Sequence, residues 1–182
     1  EIFSTTPRST STLKVLYDQS SPSRYVGCPK ALIKSCSLMP GVIPPSAILL
    51  PSTAAKHSVE LRIITPHIWD KAFVHLTTRS FYRELIRGGI RIYEYSKGFI
   101  HSKTVVSDDV TAVVGTTNLD FRSLYLHFEC GVRMYGTDAV RDVKTDFIKT
   151  MSECQEITAE MCQGTLFTRA IQNFLRLFAP LM

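Results

Sequence analysis

The stretch that decides the fold is His101-Ser102-Lys103-Thr104-Val105-Val106-Ser107-Asp108, followed after six residues by Gly115-Thr116-Thr117-Asn118. Runs of β-branched residues stand on both sides of Asp108-Asp109. They predict two short strands, Lys103 to Ser107 and Thr111 to Val114, joined by a tight turn. His101, Lys103 and the Gly-Thr-Thr-Asn turn would then lie at the same end of this pair of strands, away from the Asp108-Asp109 turn.

His101 and Lys103 carry the chemistry of this stretch. They stand two residues apart, so an extended chain projects both side chains from one face. An imidazole is a nucleophile or a proton carrier near neutral pH, and an ammonium supplies positive charge to phosphoryl oxygens. The Gly-Thr-Thr-Asn turn after the neighbouring strand adds backbone, hydroxyl and amide donors. These residue types predict a site that holds and attacks a phosphodiester without a metal.

Strands and helices alternate around the hairpin. The patterns predict a strand from Val59 to Ile64, the end of a helix from Ser80 to Arg87 before Gly88-Gly89, a strand from Ile90 to Tyr95, a strand from Phe128 to Tyr135, and a helix from a Thr137 cap to about Cys154. Such an order favours an α/β or mixed-sheet layer fold.

The chain divides into two unlike segments. Residues 1–58 hold seven of the nine prolines and show no sustained period of 2 or 3.6. We expect poor order there and a folded domain over residues 59–182.

The charge is unevenly spread. The net charge is +5, but residues 1–58 hold six Lys or Arg against two acids, and residues 59–182 hold fifteen against fourteen. The foldable part therefore lacks the basic surface of a nucleic-acid-binding groove, and we expect no nucleic-acid partner.

The sequence shows no pattern typical of a membrane-spanning helix, a signal peptide or a disulfide framework. No window approaches the ~18 uninterrupted apolar residues of a spanning helix, and the start lacks the pattern of a signal peptide. The five cysteines are odd in number and include no CxxC pair, which argues against a disulfide framework or a zinc ribbon. We expect reduced thiols in a cytosol-facing protein.

The register H-x-K-x4-D-x6-G-x-x-N resembles the signature of the phospholipase D superfamily, with Thr116 where many members have Ser. The flanking text GGIRIYEYSKGFIHSK (88–103), VVGTTNLDFRSLYLHFE (113–129) and LRLFAPLM (175–182) is similar to the C-terminal half of bacterial cardiolipin synthases. The resemblance covers about residues 59–182. It implies a phospholipase D-type mixed β-sheet flanked by helices, one half of the family's two-domain pseudo-dimer.

The resemblance also implies roles for the catalytic candidates, which are His101, Lys103, Asp108 and Glu129. His101 would be the acid/base that protonates the leaving glycerol and then deprotonates the incoming alcohol. Glu129, twenty-eight residues later, would bond the other ring nitrogen and so fix the tautomer, as an Asp does in a hydrolase triad. Asp108 is expected to tie the strand turn together rather than to touch substrate.

The phosphate-binding candidates are Lys103, Gly115, Thr116 and Asn118. With one histidine, one lysine and one nearby carboxylate, the site does not offer the three or four ligands that a metal needs. We therefore expect neither a metal nor another cofactor.

The function that the resemblance implies is phosphatidyl transfer between two phosphatidylglycerol molecules through a phospho-histidine intermediate, with release of glycerol. The chain has one HxK copy, so a second HxK-containing half or a homodimer partner is expected, together with anionic lipid on the cytoplasmic face of the cell membrane. Two alternatives stay open. One is a single-motif phosphodiesterase or nuclease that acts as a homodimer, and the other is an inactive fragment that only packs on a partner or a membrane.

Two further regions leave alternatives open. The C-terminal residues 165–182 predict an amphipathic helix with a broad apolar arc and two arginines, Arg169 and Arg176, which either docks on the core or lies in a membrane interface. His67 and Lys71 follow the first predicted strand and either line the mouth of the site or are ordinary polar loop residues.

Overall fold

The computed structural model describes the backbone of residues 2–5 and 30–34, and residues 60–120, 123 and 128–178. The strands of this part are β1 (Ile2–Thr5), β2 (Lys30–Lys34), β3 (Glu60–Pro66), β4 (Arg91–Tyr95), β5 (Lys103–Ser107), β6 (Thr111–Gly115), β7 (Glu129–Tyr135) and β8 (Cys154–Ile157). The helices are α1 (Ala72–Arg87), α2 (Asp138–Ser152) and α3 (Leu166–Arg176).

The described strands form one mixed sheet in the order β1-β7-β6-β5-β2-β3-β4-β8. Strands β2, β3 and β4 run parallel to one another, and the remaining pairs are antiparallel. The predicted α/β mixed-sheet fold is thereby confirmed. β1 and β2 come from residues 1–58, where the sequence predicts poor order; the division of the chain at residue 59 stays a prediction.

Each face of the sheet is buried under helices, because alternate strand residues point to opposite sides. On one face Ile63, Ile92 and Val105 pack with Phe81 and Leu85 of α1. On the other, Ile64, Tyr93 and Val106 pack with Val140 and Phe147 of α2. Burial of each such apolar side chain stabilises the folded state by about 1.5 to 3 kcal/mol. The near-continuous apolar runs of the strands reflect this two-sided burial.

Helix α1 ends where the sequence predicts. The amide of Gly88 donates to the carbonyl of Glu84, and Gly89 adopts φ 91°, a left-handed conformation that favours glycine. The chain then turns directly into β4, since the amide of Ile90 donates back to the carbonyl of Leu85. This tight connection fixes the start of β4 beside β3.

The predicted end of the second helix was wrong. Helix α2 stops at Ser152, and Cys154–Ile157 instead forms the edge strand β8, antiparallel to β4. A two-bond Arg91–Glu156 pair, with both N–O distances 2.8 Å, holds the edge in place. Ile148 of α2 is exposed.

Helix α3 packs on α1 through a polar residue. The Arg176 guanidinium lies 4.1 Å above the ring of Phe81, and its Nε donates to the hydroxyl of Ser80 at 2.9 Å. The apolar side chains of Phe167 and Phe174 stay 75% and 60% exposed. Within the described residues, no helix has the length and apolar character needed to cross a membrane.

Candidate active site

His101 and Lys103 lie at the end of the sheet where β5 begins. Lys103 is the first residue of β5, and His101 precedes the strand with its side chain exposed. The Lys103 ammonium donates a hydrogen bond to the His101 carbonyl oxygen at 2.7 Å, and the imidazole stacks on Phe99 with ring centroids 5.7 Å apart. The Lys103 ammonium is therefore held against the backbone of His101, and the exposed imidazole lies at the same end of β5.

Gly115 brings the next strand end close to this pair. It is the cross-strand partner of both Lys103 on β5 and Gly131 on β7. A Cβ atom at position 115 would lie 2.6 Å from the carbonyl oxygen of Cys130 and 2.9 Å from the Cα of Gly131. Only glycine fits this approach, so the glycine of the motif sets the spacing between β6 and β7.

Thr116 connects the end of β6 to Glu129. Its hydroxyl donates to the Glu129 carboxylate and accepts the amide of Cys130 at 3.1 Å, and its own amide donates to the Cys130 carbonyl at 3.0 Å. Glu129 is buried at the start of β7. The Thr116 hydroxyl is thus engaged in orienting a carboxylate. The expected bond between Glu129 and the ring of His101 stays a prediction.

The remaining motif residues lie at different ends of the hairpin. Asn118 is half-buried in the loop after β6, on the same side as Lys103. Asp108 lies at the opposite end of β5, about 17 Å from Lys103 for five strand residues. There it adopts φ 50° in the β5–β6 turn and accepts from the Ser107 hydroxyl at 3.4 Å. This position fits the turn-forming role expected of Asp108.

The sequence reasoning did not recognise a second polar cluster. Glu94 on β4 is buried, with its Oε2 2.8 Å from Nδ1 of His67 and its Oε1 3.3 Å from Nε of Arg79. Beside it, the hydroxyls of Thr65 and Tyr82 lie 2.7 Å apart. One signal was available: alternation in Ile90 to Tyr95 places Glu94 on the face of buried Ile92, where a charge is unexpected.

This cluster affects the titration of its neighbours. Burial, and after it the negative charge of Glu94, raises the pKa of Tyr82 well above its usual range, so the phenol stays protonated. Burial also lowers the pKa of His75; the negative charge of Glu94 opposes this effect, and the positive charge of Arg79 adds to it. Among residues 60–120 and 128–178, no three His, Cys, Asp or Glu side chains converge as metal ligands.

Residues 44–151 match the family described as "Cardiolipin synthase, PLD-like domain". Over 130 residues the chain is 41% identical to an uncharacterized protein of Streptococcus mutans, and 38% identical to a cardiolipin synthase of a Geobacillus species. Both alignments cover 71% of this chain, but only 28% and 26% of the relatives. The chain therefore spans about a quarter of the length of these curated relatives.

Solved structures share the fold at low sequence identity. Nuc, a phospholipase D family member from Salmonella typhimurium, superimposes with a TM-score of 0.65 at 14% identity, over 86% of this chain and 96% of that one. Phosphatidylserine synthase from Haemophilus influenzae gives 0.63 at 16% identity, over 84% of this chain and 39% of that one.

The fold and the family match agree with the sequence pattern. The mixed sheet is that of the phospholipase D structures, and the His101 and Lys103 pair lies inside the matched residues. Because the match extends over more than half of the chain, the protein belongs to the family of cardiolipin synthase PLD-like domains.

Proposed function

We propose that this chain supplies one half of a cardiolipin synthase site, which moves a phosphatidyl group from one phosphatidylglycerol to another and releases glycerol. The observation that carries the proposal is the position of exposed His101 next to Lys103, whose ammonium bonds the His101 carbonyl, at the place where β5 begins and β6 ends. An accessible imidazole next to a fixed positive charge suits an anionic phosphodiester.

In the proposed reaction, the histidine of a second HxK motif attacks phosphorus and forms a P–N bond, while His101 gives its proton to the departing glycerol oxygen. His101 then takes the proton of the incoming hydroxyl, whose oxygen bonds phosphorus as the P–N bond breaks. Lys103 and Asn118 would hold the phosphoryl oxygens, and Thr116 would keep the Glu129 carboxylate in place. Protons and bonds balance over the two steps without a metal.

The second HxK motif has to come from elsewhere, because this sequence contains one. The cardiolipin synthase relatives are about four times as long as the part they share with this chain, which leaves room for a second motif in the same polypeptide. A second copy of this chain is the other source, since an isologous interface brings identical groups across a two-fold axis. Either way, we expect the isolated monomer to be inactive.

The test is cardiolipin formation from phosphatidylglycerol vesicles. The purified chain would be assayed alone and with the complementary N-terminal part of the Geobacillus cardiolipin synthase, and light scattering would give its oligomeric state. We expect product only with the complement, and none when the chain carries His101→Ala. A strictly monomeric chain that is fully active alone would contradict the two-histidine mechanism. Cleavage of single-stranded DNA without any lipid product would favour the nuclease alternative.

We further propose that α3 holds the protein to an anionic bilayer as a peripheral helix. Phe167 and Phe174 of α3 are 75% and 60% exposed, and Leu177, the residue that caps its C-terminus, is 72% exposed, which is unusual for a helix that packs on a core. Arg176 is occupied by Ser80, Phe81 and Glu84, so only Arg169 of the two helix arginines is left exposed to anionic lipid.

Vesicle co-sedimentation tests this role. Phe174→Ser together with Phe167→Ser should lower binding to phosphatidylglycerol vesicles by at least tenfold, because two aromatic side chains no longer enter the interface. Tyr135→Ser removes a 68% exposed aromatic at the far end of β7 and is the matched control. Equal binding by the unmodified chain, the double variant and the Tyr135→Ser control would show that α3 only packs on the core.

A further inference from the structure

The buried carboxylate of Glu94 orients the exposed imidazole ring of His67. The Glu94 carboxylate is 2% exposed, whereas the His67 side chain is 49% exposed. The 2.8 Å contact joins Oε2 to Nδ1, and a carboxylate oxygen accepts the hydrogen bond that Nδ1–H donates. With Nδ1 bonded to Glu94, Nε2 is the ring nitrogen left to bond a ligand hydroxyl.

Burying the Glu94 carboxylate costs free energy. An ionised group removed from water needs a close partner and further hydrogen bonds. Glu94 has the exposed His67 ring on one oxygen, and within the described residues its other oxygen has an ion pair with Arg79 but no hydrogen bond of good geometry. A buried carboxylate oxygen without a hydrogen bond calls for an explanation, and a functional role is one of the recognised ones.

The strand register places this pair level with the HxK residues. Lys34 of β2 pairs with Thr104 of β5 on one side and with Ile64 of β3 on the other, so the three residues form one row across the sheet. Lys103 and Thr65 each lie one residue beyond this row, toward the same end of the strands. Thr65 in turn pairs with Glu94. His101 precedes Lys103 by two residues and His67 follows Thr65 by two. Both imidazoles therefore lie the same number of residues beyond this row.

The two imidazoles also share a face of the sheet. Val105 of β5 and Ile63 of β3 belong to the core beneath α1, and alternation carries Lys103 and Thr65 to that same side. One strand, β2, lies between β5 and β3, so their separation is about 10 Å. The alcohol of a diester whose phosphate is at Lys103 would have to cross this distance to meet His67.

We propose that His67, oriented by Glu94, is a binding group for a free hydroxyl of the alcohol portion of a phosphodiester held at His101 and Lys103. The proposal rests on the proposed phosphodiester site and specifies its headgroup side. Glycerol, with free hydroxyls next to the ester oxygen, is the class of headgroup that fits. Glu94 acts through His67 and is a positioning residue.

Two soluble diesters separate the contributions to binding. Glycerophosphoglycerol has hydroxyls on each side of the phosphate and dimethyl phosphate has none. Titrations of the full chain followed by ¹H–¹⁵N NMR should show Lys103-dependent binding of both. The glycerol diester should bind about five- to tenfold more tightly, the effect expected of one added hydrogen bond. Its addition should also shift the Nε2 resonance of His67.

Variants identify the residue responsible. His67→Phe should reduce the preference for the glycerol diester to less than twofold and leave the dimethyl phosphate affinity unchanged. Asp70→Asn changes a charge in the same exposed loop and should preserve the preference. Glu94→Gln should lower the preference and alter the tautomer, which in the unmodified chain should be Nδ1–H by its ¹⁵N shifts.

The outcomes distinguish this inference from the function on which it rests. If both diesters bind through Lys103 with equal affinity, or if His67→Phe keeps the preference, the hydroxyl site is refuted and the phosphate site survives. If the ring of His67 carries its proton on Nε2, the orientation by Glu94 is refuted. If neither diester binds, the phosphate site is refuted and the hydroxyl site with it.

Discussion

Gly115→Ala is the substitution whose effect follows most directly from the structure. The added Cβ would lie 2.6 Å from the Cys130 carbonyl oxygen, and an ordinary contact begins at 3.4 Å, so β7 would have to move by about 0.8 Å. Overpacking of this kind costs about 1 to 3 kcal/mol. The movement also strains two hydrogen bonds, one from the Thr116 amide to the Cys130 carbonyl and one from the Cys130 amide to the Thr116 hydroxyl, each worth about 1 kcal/mol.

Urea unfolding followed by circular dichroism measures this loss. A cost of about 3 kcal/mol with a slope of about 2 kcal/mol per molar lowers the midpoint by about 1.5 M. Gly98→Ala is the matched control, because its Cβ would meet only the Tyr95 side chain at 3.6 Å, and it should change stability by less than about 1 kcal/mol. Equal midpoints for Gly115→Ala and the unmodified chain would refute the claim that glycine sets this strand spacing.

Three other predictions concern chemistry, metals and pH. In the complemented assay, His101→Ala should abolish transfer. Lys103→Ala or Asn118→Ala should each cost about 2 to 4 kcal/mol of transition-state stabilisation, measured as kcat/KM. Unchanged turnover in His101→Ala would refute the catalytic role of His101. Chelator should leave the rate unchanged, and strict dependence on added magnesium or zinc would contradict the proposed mechanism. Because burial lowers the pKa of His75 in the folded chain, the unfolded chain binds more protons below about pH 6.5, so stability falls as the pH drops through that range. His75→Gln should flatten this part of the urea midpoint against pH, and an identical profile would show that His75 does not contribute.

The hairpin was predictable because its determinants are local. β-branched runs, an Asp-Asp turn and a glycine end fall within residues 103–115, and the structure gives β5 the predicted bounds and extends β6 by one residue, to Gly115. The Asp108 and Asp109 turn uses positive φ values, which these short polar residues tolerate better than most. The candidate site also lies within a short stretch, so its motif could be recognised from spacing alone.

Features that depend on distant pairing were not predictable in the same way. His67 and Glu94 are twenty-seven residues apart, and their contact exists because β3 and β4 adopt one particular parallel register. β8 was not predicted, and its first residue, Cys154, was expected to end a helix, since the four residues of this strand carry little alternation and gain their conformation by pairing with β4. In each case the tertiary neighbour decides what the local pattern leaves open.

The central position of β2 matters for anyone who prepares this protein. Composition alone suggests an expression fragment that begins near residue 59, yet β2 lies between β3 and β5 and is the strand that joins them. Removing it would leave two facing rows of unpaired amides and carbonyls in the middle of the molecule. Exposed strand edges of that kind recruit other chains, so such a fragment should aggregate. A short peptide covering Lys30–Lys34, added in trans, is the natural reagent for restoring it.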